Sequence, residues 1–141
     1  MHPEVLVCDT SGLIAYFDAS DAHHSEVSDV VHHDPGPFIV SPYVVAELDY
    51  LLMSRRGVAA ELAVLDELSG GAFVLASIEA PDLRQIRDVV GRYRDQGIGV
   101  TDASLVVLAG RYRTDRLLTL DRRHFQVLHT QKGQPFSLVP V

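Results

Sequence analysis

The sequence predicts an α/β fold, with a central, mostly parallel sheet of about five strands covered on both faces. Two observations carry this expectation. Short apolar runs such as VLVC at residues 5–8 and LLTL at 117–120 recur along the chain, and they lack the polar alternation of a half-exposed strand. Between them lie longer stretches whose apolar residues repeat at helical spacing, and strands that alternate with helices imply parallel pairing.

Taken in order, VLVC at residues 5–8 is the first strand, and DTSG at 9–12 ends it and can cap a following helix. A polar, histidine-containing segment from about residue 20 to 33 reads as an exposed helix. Phe38, Ile39 and Val40 form the second strand. Ser41 and Pro42 are then a helix cap and a proline at the first helical position, and the helix runs through Val44, Val45, Leu48, Leu51 and Leu52 to about Arg56. Gly57 separates it from another helix holding Leu62, Leu65 and Leu68, and Gly70-Gly71 breaks that one. Phe73, Val74 and Leu75 make the third strand. A helix with Leu83, Ile86, Val89, Val90 and Tyr93 follows, then a loop with Gly97 and Gly99. Thr101 caps a helix through residues 105–109 that is apolar nearly all round and so should be buried. The run at 117–120 is the fourth strand, ending in Asp121, and FSLV at 136–139 is a fifth.

The totals bound the class. A chain of 141 residues with no linker or repeat reads as one domain over residues 1–141, and 47% apolar residues argue against disorder. No run of about 18 apolar residues is present, so no membrane helix is expected. The start, MHPEVLVCDT, lacks the basic residues and long apolar stretch of a secretory leader, and Glu4 and Asp9 come too early for one. A cytoplasmic location follows. Cys8 is the one cysteine, which excludes an internal disulfide and a cysteine-rich zinc site and leaves a small buried residue at a strand end.

The net charge of −7 argues against a general nucleic-acid binder. The distribution softens this. Of eleven Arg, nine lie from Arg84 onward, against one Lys, Lys132. Guanidinium groups pair bidentately with phosphate, although each singly fits a solvated salt bridge.

Four acids carry the chemical argument. Ligands of open α/β sheets gather at the carboxyl ends of strands. Asp9 directly follows VLVC, and Asp121 directly follows LLTL. Glu47 lies three residues after Val44 and four before Leu51, which puts it on their helical stripe; Asp49 points elsewhere. Asp102 precedes Leu105, Val106 and Ala109 on the apolar stripe of the buried helix. Taken singly, Asp102 can serve the positive end of its helix, and Asp9 and Asp121 can be turn or cap residues. Together they are costly, because two carboxylates about 5 Å apart at an effective dielectric near 20 repel by roughly 3 kcal/mol. Mg²⁺ or Mn²⁺ offsets that repulsion with oxygen ligands alone, lowers the pKa of bound water and neutralises a phosphate. That is the chemistry of phosphodiester hydrolysis.

DTSGL from Asp9, VVAEL around Glu47, GVTDASL around Asp102 and TLDRRHF around Asp121 resemble the PIN-domain ribonucleases, VapC toxins above all. The four blocks stand in that family's order and spacing, from near the start of the chain to about Phe125. The resemblance implies an α/β/α sandwich and a Mg²⁺- or Mn²⁺-dependent endoribonuclease with Asp9 and Asp102 as the surest metal ligands. Glu47 and Asp121 complete the acidic set, and the hydroxyls of Ser11 and Thr119 orient carboxylates or touch phosphate. It further implies a homodimer, a VapB-like antitoxin with an Arg near the acids, and a structured RNA target such as tRNA or a ribosomal RNA loop. Where some relatives carry a further acid after the fourth block, this chain has His124, which leaves the count of metals, one or two, open. Asp95 lies in the loop before Asp102, and Asp115 precedes the fourth strand.

The pairs His23-His24 and His32-His33 lack ligand spacing and read as exposed. The apolar residues after Pro42 and from Leu62 to Leu68 exceed what one core needs, and fit either ordinary packing or a partner surface. Two rival functions stand beside the nuclease. One is a non-catalytic PIN module that binds RNA or protein. The other is a phosphate-accepting receiver domain, which needs an acceptor Asp after the central strand, where this chain has Ala76-Ser77.

Overall fold

Strand β1 (Leu6–Cys8) runs through the middle of a five-stranded sheet in the order β3-β2-β1-β4-β5, seen in a computed structural model that describes residues 5–141. Glu4, weighed above against a leader, lies outside the described residues. The other strands are β2 (Phe38–Val40), β3 (Phe73–Leu75), β4 (Arg116–Leu118) and β5 (Ser137–Val139). Every neighbouring pair is parallel, with Cys8 opposite Val40 and Leu118. All residues of β1 and β2 are buried. Successive side chains of a strand point to opposite faces, so both faces of the sheet centre are covered. The edge strands β3 and β5 are partly exposed.

Helices α1 (Thr10–Phe17), α2 (His24–His33), α3 (Pro42–Arg56), α4 (Val58–Ser69), α5 (Ala80–Arg92), α6 (Val100–Arg111) and α7 (Arg122–Val127) connect them. Ser41 caps α3 by accepting from the Tyr43 amide at 3.2 Å, with Pro42 at the first position as expected. Residues 103–109 of α6 are all buried, which bears out the reading of a helix apolar on every side.

Four local expectations are corrected. Helix α2 begins at His24, because Asp18 and Asp21 accept from the Ser20 and His23 amides and hold residues 18–23 in turns. Gly99, not Thr101, is the cap residue of α6, and Thr101 lies within the helix. Strand β4 stops at Leu118, so Asp121 stands three residues past it. The six-residue α7 was not foreseen, being too short for a periodic signal; Asp121 caps it by accepting from the His124 amide at 3.2 Å.

Gly12 sets how closely α1 approaches β4. A Cβ at that position would stand 2.7 Å from the Leu118 carbonyl oxygen and 2.8 Å from Leu118 Cγ. The small residue in DTSGL thereby brings Asp9 and Ser11 against the end of β4. Gly57, at φ 86°, makes the left-handed turn between α3 and α4. Among the described residues no helix is long and apolar enough to cross a membrane.

Candidate active site

The chain leaves β1 to build β2 and β3 on one side, then returns to place β4 and β5 on the other. The strand order therefore reverses between β1 and β4, and such switch points open a crevice at the carboxyl ends of the strands. Asp9 follows β1 directly and Thr119 follows β4 directly, so both stand at this crevice.

Asp9 is held by three donors. Its Oδ1 accepts from the Thr10 amide at 2.8 Å; its Oδ2 accepts from Ser11 Oγ at 2.9 Å and from Thr119 Oγ1 at 2.7 Å. Both hydroxyls also accept, Ser11 from the Leu120 amide at 2.9 Å and Thr119 from the Asp121 amide at 3.0 Å. Each hydroxyl has one proton, and that proton goes to Asp9. The 3.2 Å approach of Ser11 Oγ to Thr119 Oγ1 is then a contact between two oxygens whose protons point elsewhere. Oδ2 has both acceptor positions filled, and Oδ1 keeps one. The carboxylate is fixed, nearly buried, and able to bind a cation through one oxygen. Burial raises its pKa, the three donors oppose that, and Asp121 adds to the rise.

Asp102, in the first turn of α6, titrates near 6 instead of 3.8. Burial is the main cause; the charge of Asp9 raises it further, His124 opposes, and Asp121 and Glu47 add smaller rises. Of the four acids foreseen in the sequence, Asp9, Asp121 and Glu47 are thus all close enough to act on Asp102. His124, on α7, puts Nδ1 3.0 Å from Asp121 Oδ2 and 3.3 Å from Asp102 Oδ2.

Glu47 differs from expectation. The buried stripe of α3 is Val44, Leu48 and Leu52, and Glu47 lies beside that stripe with its side chain in solvent. Spacing to Val44 and Leu51 misjudged the face because Leu51 is itself only half buried. Glu47 therefore stands at the rim. Asp49 does point away, toward Glu61 of α4, whose pKa it raises. Asp95 is exposed on the short turn Arg94–Gln96, and Asp115 stands at the opposite, starting end of β4. A hollow of about 420 Å³ lined by Arg113, Thr114 and Asp115 lies at that same far end and shares no residue with the acids.

Two features escaped the sequence reading. Ser104 Oγ donates to the Thr101 carbonyl at 2.6 Å, so the proton in its 2.8 Å bond with Ser41 Oγ comes from Ser41. This buried chain ties the start of α3, which carries Glu47, to the first turn of α6, which carries Asp102. A serine inside an otherwise apolar helix was the available signal. The other is the placement of His124 between two acids. His24, by contrast, is half buried, with Nδ1 2.8 Å from the Ala15 carbonyl, whereas His23, His32 and His33 are exposed as expected. Several of the arginines are engaged, Arg111 with Asp82, Arg116 with Asp34, and Arg122 by donating to the Pro140 carbonyl at 2.7 Å, while Arg123 is exposed two residues after Asp121. Cys8 is wholly buried, and burial pushes its thiol pKa up.

The donor set suits a hard divalent cation: carboxylate oxygens whose repulsion is already felt at Asp102. Among the described residues no three His, Cys, Asp or Glu side chains surround a common point as they stand. Mg²⁺ does not require such a cage, since it keeps several waters and is commonly held by one or two carboxylates with substrate phosphate.

The model of the family described as PIN domain matches residues 6–128. Ribonuclease VapC26 of Mycobacterium tuberculosis (strain ATCC 25618 / H37Rv) is 52% identical over 135 residues, which span 96% of this chain and 100% of that protein. Among solved structures, Mycobacterium tuberculosis VapC20, described as a Sarcin-Ricin loop cleaving toxin, superposes with a TM-score of 0.77 at 21% identity, over 82% of this chain and 89% of that one. The DNA-bound VapBC from Salmonella typhimurium gives 0.68 at 15% identity, over 95% and 97%. At these identities the two structures speak for the fold, and they agree with the α/β sandwich expected from the sequence.

Proposed function

Because the chain belongs to the PIN-domain family and is a homologue of the VapC ribonucleases, we propose that it is the toxin of a type II toxin–antitoxin pair. It is a Mg²⁺- or Mn²⁺-dependent endoribonuclease that acts in the cytoplasm on a structured RNA, a tRNA or a ribosomal RNA loop, and so stops translation. The observation that supports this most is the convergence at the switch point of the sheet, where Asp9, held by Ser11 and Thr119, stands with Asp121 and Glu47 close enough to raise the pKa of Asp102.

Asp9, Asp102 and Asp121 would hold the cation, with Glu47 completing the set. When bound, the cation supplies counter-charge to the scissile phosphate and acidifies water beside it. The chain's own groups do the rest. Ser11 and Thr119 fix Asp9 with one oxygen position open. Glu47, at the solvent rim, orients the attacking water and takes its proton. Arg123, exposed two residues after Asp121, pairs with a phosphate flanking the cut. In-line attack by water leaves a 5′-phosphate and a 3′-hydroxyl.

A VapB-like antitoxin is the proposed partner, and a homodimer the proposed assembly. A basic side chain from the antitoxin would relieve the same repulsion as the cation, which gives inhibition a physical basis.

The test is incubation of purified wild type and Asp9→Asn with total bacterial RNA, in Mg²⁺, Mn²⁺ or EDTA, followed by end-sequencing. A discrete cut made only by wild type with metal, leaving 5′-phosphate ends, supports the reading and identifies the target. A 2′,3′-cyclic phosphate would mean attack by the RNA's own 2′-hydroxyl and would refute the mechanism. No cut by folded wild type in any condition would favour a PIN module that binds without cleaving.

A further inference from the structure

His124 sits at the acids without a role in the mechanism above. Its Nδ1 is buried, although its side chain is 44% exposed, and it has no aligned hydrogen-bond partner. Yet it stands 3.0 Å from Asp121 Oδ2 and 3.3 Å from Asp102 Oδ2. Nitrogen and oxygen at these separations ordinarily share a proton along their line. Here the separations are met and the line is not. A second geometry asks for the same separations with no proton between. In an octahedron with ligands at about 2.1 Å, neighbouring donors stand about 3.0 Å apart, and each aims its lone pair at the centre instead of at the other.

We propose that His124 is a direct ligand, through Nδ1, of the divalent cation held by Asp102 and Asp121. The proposal rests on the metal-dependent reading given above. The backbone supports it: His124 donates its amide to Asp121 Oδ1 at 3.2 Å, and this places the imidazole and the other oxygen of Asp121 on one side of the first turn of α7. The three side chains do not surround a point as they stand, so coordination requires a shift of the imidazole, whose side chain is 44% exposed. Coordination through Nδ1 puts the ring proton on Nε2. A nitrogen donor among carboxylates also shifts preference from Mg²⁺ toward Mn²⁺ and later transition ions, which imidazole suits better.

The experiment is pulsed electron paramagnetic resonance on the full-length protein loaded with Mn²⁺, comparing wild type, His124→Asn and His124→Asp. Wild type is expected to show the nitrogen modulation of a directly bound imidazole, absent in both variants. Calorimetric titration is expected to show Mn²⁺ binding weakened about 10–100-fold in His124→Asn, the range known for lost supports of metal ligands, with a smaller loss for Mg²⁺. His124→Asp restores an oxygen ligand and should recover Mn²⁺ binding without the nitrogen signal. Tight Mn²⁺ binding by wild type without nitrogen modulation, or modulation that persists in the variants, would overturn the proposal and leave the metal-dependent nuclease standing. Failure of folded wild type to bind Mn²⁺ at all would overturn both.

Discussion

Replacing Asp102 by Asn should strengthen the metal-free fold while removing activity. Asp102 titrates near 6 in the folded chain, against 3.8 ordinarily. A folded-state pKa above the unfolded value means that the folded chain binds more protons between about pH 4 and 6, so stability falls as pH rises through that window. Above it, the full cost of an ionised Asp102 is present. Two units at about 1.4 kcal/mol each give roughly 3 kcal/mol. The side chain is still 18% exposed, so solvent screening reduces this to about 2 kcal/mol. Asn also gives up the favourable charge in the first turn of α6, about 0.5 kcal/mol. The net expectation is a gain of roughly 1–2 kcal/mol at pH 7.5, or roughly 3–8 °C in Tm for a chain of this size. Urea unfolding of wild type and Asp102→Asn in EDTA measures it directly. The gap should be largest at pH 7.5 and clearly narrower at pH 4.5, where folded-state Asp102 is mostly protonated; it closes only once the pH falls below the ordinary carboxyl value, where the unfolded chain is protonated as well. Saturating Mn²⁺ should reverse the order, because only wild type gains binding energy. An Asp102→Asn protein less stable than wild type in EDTA at pH 7.5, or a gap unchanged between the two pH values, would refute the account of repulsion at this site.

Thr119→Val removes the donor to Asp9 Oδ2 and the acceptor of the Asp121 amide at once. We expect a loss of about 1–3 kcal/mol in urea unfolding and of about 10–100-fold in divalent-cation affinity by calorimetry. Gly12→Ala drives a Cβ into the Leu118 carbonyl and side chain. It should cost about 1–3 kcal/mol and, by moving α1 from the end of β4, lower the cleavage rate in the RNA assay. Ser104→Ala leaves Ser41 without its buried acceptor and should destabilise by about 1 kcal/mol, with unchanged products and a raised KM or lowered kcat as α3 and α6 lose register.

The strands were legible because the sheet centre is buried on both faces, which writes a continuous apolar run into residues 5–8 and 38–40. Asp9 was legible for the same reason, since the first polar residue after such a run marks the strand end. Asp102 stood out because the helix that carries it has no polar face to absorb an acid. Glu47 was placed on the wrong face, since α3 is only partly buried and two neighbouring stripes fit its leucines and valines equally well. What sequence reasoning missed depends on residues far apart in the chain. The bond between Ser41 and Ser104 spans 63 positions, and only the fold shows that these two hydroxyls meet. The turn that carries His124 to the acids is six residues long, below what periodicity can detect.

The acids at this crevice admit three ways to relieve one repulsion: a proton on Asp102, a divalent cation, or a basic side chain from a partner. All three act on the same charges, so each must weaken the others by the amount they share. An arginine-containing peptide from the antitoxin should therefore compete with Mg²⁺. At Mg²⁺ ten times its dissociation constant, simple competition lowers the peptide's apparent affinity about elevenfold. The same peptide should bind more weakly at pH 5 than at pH 7.5, because Asp102 takes up a proton over that interval and the cleft loses negative charge. Asp102→Asn should flatten both dependences together. Fluorescence anisotropy across Mg²⁺ and pH reads all of this in one titration series. A peptide that binds with equal affinity at all Mg²⁺ concentrations would show that the antitoxin inhibits by covering the groove and not by supplying charge to the acids.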